Sequence, residues 1–148
     1  MDEAFGLVVG PGGGETVRNP VGGIVTFKAT GAVSAGRVTT FESVIASGDG
    51  PPLHTHARED ETLYVLEGEF RFQLEDEVHE APVGTTMYVP PGAPHCFQNS
   101  GETPGRLLIS FTPAGMEHFF ALTGGDPETF KKAAEVVGME VVGPALRD

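Results

Sequence analysis

The sequence predicts an all-β chain of short antiparallel strands in a sandwich or barrel, followed by short C-terminal helices. Twenty-one glycines and twelve prolines divide the 148 residues into short segments, most of them apolar. Several of these segments alternate apolar and polar residues, as strands with one buried face do. After residue 112 the apolar residues recur at helical spacing instead.

Seven segments have the composition and alternation of strands. In the segment 69–75, Phe70, Phe72 and Leu74 share one face, while polar side chains share the other. Glycine, proline and acidic residues at 48–52, 67–68, 76–77 and 90–94 supply the turns between strands. The predicted strands are 21–28, 37–46, 62–67, 69–75, 85–89, 95–99 and 106–112.

Two helices are predicted at 115–122 and 127–137. The second has clear boundaries, because Asp126 is a suitable N-cap, Pro127 takes the first helical position and Gly138 follows the end. We expect both helices to pack on the barrel or at a dimer interface rather than to carry chemistry. Residues 1–148 are predicted to form one domain, with a core barrel at about 21–112 and a helical segment at about 115–138.

Composition restricts the possible partners and location. The net charge of −12 opposes binding to phosphate backbones, so no nucleic-acid partner is expected. No segment approaches the roughly 20 apolar residues of a membrane helix, and the acidic N-terminus differs from a signal peptide. One cysteine, Cys96, allows no internal disulfide. Together these features predict a cytoplasmic protein without a membrane partner.

Three histidines and one glutamate have the spacing of ligands to a single metal ion. His54 and His56 are alternate residues, so on a strand their side chains point to the same side. Glu61 follows after a short turn, and His95 lies on a separate predicted strand. Three imidazoles and one carboxylate suit one divalent transition metal, which could be iron, nickel, manganese, copper or zinc.

Two segments that contain these residues resemble the signatures of the cupin superfamily. The segment 48–68, GDGPPLHTHAREDETLYVLEG, resembles the first signature, and 84–99, GTTMYVPPGAPHCFQN, resembles the second. The resemblance implies a double-stranded β-helix, or jelly-roll barrel, with His54, His56, Glu61 and His95 as metal ligands. Glu59 has the same strand parity as Glu61, and the family spacing selects Glu61.

An apolar cavity is predicted beside the metal ligands. No lysine or arginine lies in the motif strands except Arg71, which is expected on the outer face. The cavity therefore disfavours a very polar substrate such as a sugar phosphate. Glu61 is the predicted general base, since it could leave the metal or share a proton. The predicted pocket residues are Phe70, Phe72, Met87, Phe97, Ile109 and Phe111.

The closest functional resemblance is to single-domain bacterial cupins related to quercetinases. It implies a metal-dependent dioxygenase acting on a small oxygenated aromatic or enolic substrate. A metal-dependent isomerase or lyase and a non-catalytic small-molecule-binding cupin remain alternatives. A homodimer is also expected, because the resemblance implies one and because outward apolar residues such as Tyr64, Leu66 and Tyr88 need cover.

Overall fold

Two antiparallel sheets make up most of the structure, a computed structural model that describes residues 3–147. The six-stranded sheet has, in spatial order, β1 (Thr16–Arg18), β2 (Ile24–Ala29), β3 (Thr39–Ile45), β10 (Gly105–Thr112), β5 (Asp60–Glu67) and β8 (Thr86–Val89). The five-stranded sheet has β11 (Met139–Ala145), β4 (Pro52–His56), β9 (His95–Asn99), β6 (Phe70–Leu74) and β7 (Glu77–Ala81). The all-β jelly-roll prediction is confirmed.

The chain passes from one sheet to the other several times between β3 and β10. It leaves the six-stranded sheet for β4, returns for β5, and leaves again for the hairpin of β6 and β7. It then returns for β8, leaves for β9 and closes with β10 between β3 and β5. Residues that are distant in sequence therefore meet between the sheets.

All seven predicted strands are present, with boundaries shifted by at most three residues. Strands β1, β4, β7 and β11 and the short helix α1 (Gly31–Ser34) lie outside the seven predicted segments, although the metal-site prediction assumes a strand at His54 and His56. Strand β7 is exposed along most of its length, so it has no buried face to produce alternation. Strand β11 contains Gly143 and Pro144, which a central strand disfavours, but it lies at a sheet edge where proline is tolerated.

Alternation along β3 and β10 builds the core between the sheets. Every second residue of β3 is buried, and the buried residues of β10 follow the same rule. Phe41 on β3 packs against Phe27, Phe111 and Phe120, with ring centroids 5.9, 6.1 and 5.4 Å away. Each fully buried aromatic side chain contributes roughly 1.5–3 kcal/mol of hydrophobic stabilisation. This cluster joins the six-stranded sheet to the C-terminal helices.

The C-terminal helices are α2 (Glu117–Thr123), a 3-10 turn at Pro127–Thr129 and α3 (Phe130–Val137). The Asp126 side chain accepts a hydrogen bond from the Glu128 amide, which confirms the predicted N-cap. Gly138 ends α3 with φ of 76°, a left-handed conformation that glycine adopts without strain. None of the helices described within residues 3–147 is long and apolar enough to cross a membrane.

The outward apolar residues of the six-stranded sheet are exposed, as the alternation predicts. Tyr64, Leu66 and Tyr88 have 39%, 38% and 57% of their surface exposed. The homodimer that would cover them stays a prediction.

Gly50→Ala tests how closely the loop before β4 approaches β9. A Cβ atom at Gly50 would lie 1.9 Å from the carbonyl oxygen of Phe97, so the backbone must move. We expect a loss of about 2 kcal/mol or more in the free energy of unfolding, measured by urea denaturation. Gly10→Ala is the control, since its Cβ would have no neighbour within 4 Å. Equal stability of the two variants would contradict this packing.

Candidate metal centre

Four polar side chains from three strands converge inside the barrel. His54 and His56 lie on β4, and strand alternation turns both rings inward. His95 begins β9 and is paired directly with His54. Glu61 comes from β5 in the opposite sheet. One ligand atom from each of the four residues lies within 4.8 Å of the others, and all four residues are buried.

Glu61 makes the polar contacts that hold this group together. Its Oε1 atom accepts a hydrogen bond from Nε2 of His95 at 2.7 Å. The same oxygen lies 3.4 Å from Nε2 of His56, an ionic contact without hydrogen-bond geometry. The ring centroids of His54 and His95 are 4.3 Å apart, and those of His54 and His56 are 4.9 Å apart. The four side chains therefore surround one small volume.

Backbone carbonyl groups fix the orientation of two histidine rings. Nδ1 of His54 lies 2.7 Å from the Pro52 carbonyl oxygen, and Nδ1 of His95 lies 3.0 Å from that of Ala93. For His54, donation from Nδ1 leaves Nε2 available as a ligand atom, the usual arrangement around a protein-bound metal. For His95, Nε2 becomes a ligand atom once it gives up the proton that it shares with Glu61. Neither ring nitrogen of His56 has a hydrogen-bond partner among residues 3–147. A buried imidazole without a partner is costly unless a further group binds it.

Burial and mutual contact separate the protonation states of the group. Burial, reinforced by the neighbouring histidines, lowers the pKa of His54 to about 3. Burial alone would raise the pKa of Glu61, but its contacts with His56 and His95 hold that pKa far below its usual range. Burial opposes protonation of His95, yet its hydrogen bond to Glu61 raises its pKa above the usual value. At neutral pH the group therefore contains an ionised carboxylate and at least one neutral imidazole.

This donor set fits a divalent transition metal. Neutral imidazole and carboxylate are ligands for iron, manganese, nickel, copper and zinc. The partnerless nitrogens of His56 and the convergence of four buried ligand atoms both favour a cation at the centre.

Glu61, and not its acidic neighbours, belongs to this group. Glu59 is also buried, but Oε1 of its carboxylate lacks a hydrogen-bond partner in the described part of the chain. Burial raises the pKa of Glu59. Asp60 accepts a hydrogen bond from the Tyr88 hydroxyl on the outer surface instead. Strand alternation could not separate Glu59 from Glu61, whereas the family spacing did.

An apolar cavity of about 70 Å³ opens beside His54, His56 and Glu61. Phe97, Ile109 and Phe111 line it, as predicted. The ring of Phe111 also contacts His56, with centroids 5.0 Å apart. Within residues 3–147, no lysine or arginine lines this cavity. The metal-binding group therefore lies at one end of an uncharged apolar space.

The other three predicted pocket residues do not line this cavity. Phe70, Phe72 and Met87 are buried, but they belong to the packed core. The ring of Phe70 packs against Phe72 and Phe97, with centroids 6.5 and 6.3 Å away. The prediction of these three as pocket residues is wrong because alternation identifies the inward face of a strand but not how far across the sheets the cavity extends. Phe70 and Phe72 lie on β6 and Met87 on β8, beyond the strands that line it.

The C-terminal segment supplies five of the lining residues that were not predicted. They are Met116, Phe119, Phe120, Phe130 and Met139. Phe119 packs against both Phe120 and Phe130, with ring centroids 5.2 and 5.3 Å away. In the sequence, the apolar face of each helix predicts only packing on the barrel or at a dimer interface. The helices in fact pack on the barrel and also form one wall of the cavity.

A larger groove of about 610 Å³ lies away from the metal-binding group. It runs past α1 and α2, and none of the four converging residues lines it. Its half-buried carboxylate, Glu117, accepts hydrogen bonds from the Thr39 hydroxyl and from the amides of Gly31 and Gly115. These contacts hold α2 to the barrel, so we assign the groove a structural role.

Comparison with known proteins identifies the family. Residues 41–111 match the family model of the cupin domain. These residues, just under half of the chain, form a cupin domain. The matched residues contain β3 to β10 almost completely and include all four residues of the candidate metal centre. The C-terminal helices and β11 lie outside the match.

Two sequence relatives and one solved structure show the extent of the similarity. An uncharacterized protein of Methanocaldococcus jannaschii is 35% identical over 72 residues, which cover 49% of this cupin and 58% of that protein. Quercetin 2,3-dioxygenase of Bacillus subtilis is 31% identical over 88 residues, 57% of this chain and 26% of the enzyme. An RmlC-like cupin from Shewanella frigidimarina superposes with a TM-score of 0.65 at 21% identity, covering 79% of this chain and 98% of that one.

His56→Ala should abolish metal binding. It removes a ring that contacts Glu61 and whose nitrogens have no partner among residues 3–147. We expect near-stoichiometric first-row metal in the untagged wild-type protein by elemental mass spectrometry, and little in the variant. His118→Ala is the matched control, because His118 is exposed. Equal metal content in wild type and both variants would contradict the assignment, as would no metal uptake by the wild type on titration.

The stability of the metal-free protein should fall as the pH rises above 6.5. His95 has a pKa raised from 6.5, so the folded chain holds this proton more tightly than the unfolded chain does. Its contribution is complete below pH 6.5 and is lost as the pH rises through the folded-state pKa. Urea denaturation in the presence of a chelator, up to about pH 9, measures this decline. The decline should be absent from His95→Gln, and equal slopes for both proteins would contradict it.

Proposed function

We propose that this cupin is a metal-dependent enzyme of the quercetinase-like dioxygenase type. The observation that carries the proposal is the convergence of His54, His56, Glu61 and His95 at one end of an apolar cavity. The proposed substrate is a small oxygenated aromatic or enolic molecule. A divalent metal bound by these side chains would supply Lewis acidity and, for a redox-active ion, access to dioxygen chemistry.

The side chains around the centre support this chemistry in three ways. The Pro52 and Ala93 carbonyl oxygens hold the rings of His54 and His95 in fixed orientations. The low pKa of Glu61 keeps its carboxylate ionised at neutral pH, so that it can bind a cation. We also assign Glu61 the role of general base, which requires its contacts with His56 and His95 to loosen, because a general base is most effective with a pKa near the operating pH. The apolar wall excludes water from the space where substrate would react.

The lining of the cavity favours an uncharged substrate. Its walls are formed mainly by phenylalanine, methionine and aliphatic side chains, and its charged groups are those of the metal centre. A phosphate or a second carboxylate would find no cationic partner among the lining residues that the structure describes. Aromatic and enolic molecules with adjacent oxygen atoms meet both conditions, since the oxygens would face the metal and the ring would face the phenylalanines.

The volume of the cavity favours a small substrate or one that reaches the surface. About 150 Å³ is needed to hold benzene in a closed apolar cavity, and this cavity has about 70 Å³. A shallow depression of about 270 Å³ lies outside it and shares the residues Val21 and Phe130 with the cavity wall. An aromatic substrate would extend past Phe130 into this depression or displace its ring.

Sequence similarity supports oxygen-dependent chemistry in particular. The relative from Bacillus subtilis is a quercetin 2,3-dioxygenase, and its similarity to this chain extends over 88 residues. Those residues cover 26% of that enzyme, so a similar substrate for this chain is a proposal.

Oxygen uptake by metal-loaded protein tests the proposed function. Separate samples loaded with iron, manganese, nickel, copper and zinc would be mixed with flavonols, catechols and enediols in an oxygen electrode. We expect uptake with at least one metal, and both atoms of ¹⁸O₂ in the product by mass spectrometry. His56→Ala should show none, whereas His118→Ala should match the wild type.

Two outcomes of this experiment would replace the proposal. Equal turnover with and without oxygen would favour a metal-dependent isomerase or lyase. Tight, metal-dependent binding of the same compounds without turnover would favour a non-catalytic binding protein.

A further inference from the structure

Ser43 is a buried hydroxyl in a position that packing alone does not explain. It lies at the centre of β3, where every second residue faces the core. Its neighbours across the sheet are Val25 on β2 and Leu107 on β10, both fully buried. An aliphatic side chain would suit this apolar row better than a hydroxyl does.

The Ser43 hydroxyl also lacks a hydrogen-bond partner. Its Oγ atom is buried, and no group within residues 3–147 pairs with it. Thr39, four residues earlier on the same face of β3, provides a direct comparison. Its hydroxyl donates to Glu117 and accepts from the Gly115 amide, so it is fully used by the fold. An unpaired buried hydroxyl costs stability, so it suggests a partner outside the chain.

Ser43 lines the same cavity as the metal-binding group. It shares this space with His54, His56 and Glu61 and with the rings of Phe41 and Phe97. Asn19 is the other uncharged polar residue of the lining, and the oxygen of its side chain already accepts from the Val21 amide. Ser43 is therefore placed to contact a ligand whose opposite end lies at the metal centre.

We propose that Ser43 is a specificity-determining residue that hydrogen-bonds a polar atom of the substrate. This proposal rests on the proposed function, because it assumes that two oxygen atoms of the substrate bind at the metal centre. The substrate class is then narrower. It is an uncharged ring or enol with a chelating pair of oxygens and one further hydroxyl or carbonyl group that reaches Ser43.

Matched pairs of chelators test this assignment in zinc-loaded protein under nitrogen, where no turnover occurs. Allomaltol and kojic acid differ by one hydroxyl group on a side methyl. 3-Methylcatechol and pyrogallol differ by a methyl and a hydroxyl beside the chelating oxygens. Affinity would be measured by calorimetry for wild type, Ser43→Ala and the control Ser110→Ala. The Ser110 hydroxyl lies 2.9 Å from the Thr40 hydroxyl, with which it pairs, and Ser110 does not line the cavity.

We expect the hydroxylated member of at least one pair to bind the wild type about tenfold more tightly than its partner, the effect of one buried hydrogen bond. Ser43→Ala should remove this preference and leave the affinity for the methylated member unchanged. Ser110→Ala should retain the preference. The thermal midpoint of metal-free Ser43→Ala should not fall below that of the wild type, because no hydrogen bond of the fold is lost.

The results separate this inference from the proposed function. If the wild type takes up no zinc, or binds the chelators equally with and without zinc, the proposed function fails and the assignment of Ser43 fails with it. If zinc-dependent binding occurs and Ser43→Ala keeps the hydroxyl preference, or if no pair shows one, the assignment of Ser43 alone is overturned. A lowered midpoint for metal-free Ser43→Ala would show a structural hydroxyl and would also overturn it.

Discussion

The contact of Glu61 with His95 and His56 links the two sheets through a polar group in an apolar interior. Glu61 belongs to the six-stranded sheet and the histidines to the five-stranded sheet, so the ligand set is complete only when the sheets pack in this register. A shift of one residue in β4 or β5 would turn His56 or Glu61 outward and bury apolar side chains incorrectly. The jelly-roll topology and the apolar core are therefore what make four distant residues available to one ion.

The C-terminal segment completes the cavity through the same pairing scheme. Strand β11 pairs with β4, and Met139 lies opposite His56. A single residue, Gly138, separates the end of α3 from the start of β11, so this pairing also fixes the position of α3. Phe130 on α3 packs against Phe119 on α2, which fixes α2 in turn. The cupin match ends at residue 111, so the wall nearest the surface comes from a part of the chain that the match does not include. Substrate selection can thus vary while the metal centre stays the same.

The sequence was sufficient for seven of the eleven described strands and for the four converging residues because each depends on short-range patterns. Alternation places His54 and His56 on one face, and two compact motifs carry the rest. The lining of the cavity could not be predicted in the same way, because it depends on contacts between residues that are distant in sequence. Phe70 and Phe97 both face inward, yet only Phe97 of these two lines the cavity, since it lies on β9 beside the ligand strand β4 and Phe70 lies one strand further, on β6. The contribution of α2 and α3 depended on the β11 pairing, which Gly143 and Pro144 concealed.

Among the residues that line the cavity, polar groups that the fold leaves unpaired lie where a metal ion and a substrate are proposed to bind. Asn99 is fully buried, but its amide donates to the carbonyls of Ile45 and Thr103, so it stabilises a turn. His56 and Ser43 are as deeply buried and have no such partners in the described chain. Each such group lowers the stability of the metal-free, ligand-free protein, and a bound metal and substrate would recover that stability as binding energy. The lack of hydrogen-bond partners at His56 and at Ser43 therefore links the proposed metal site to the proposed specificity of the cavity.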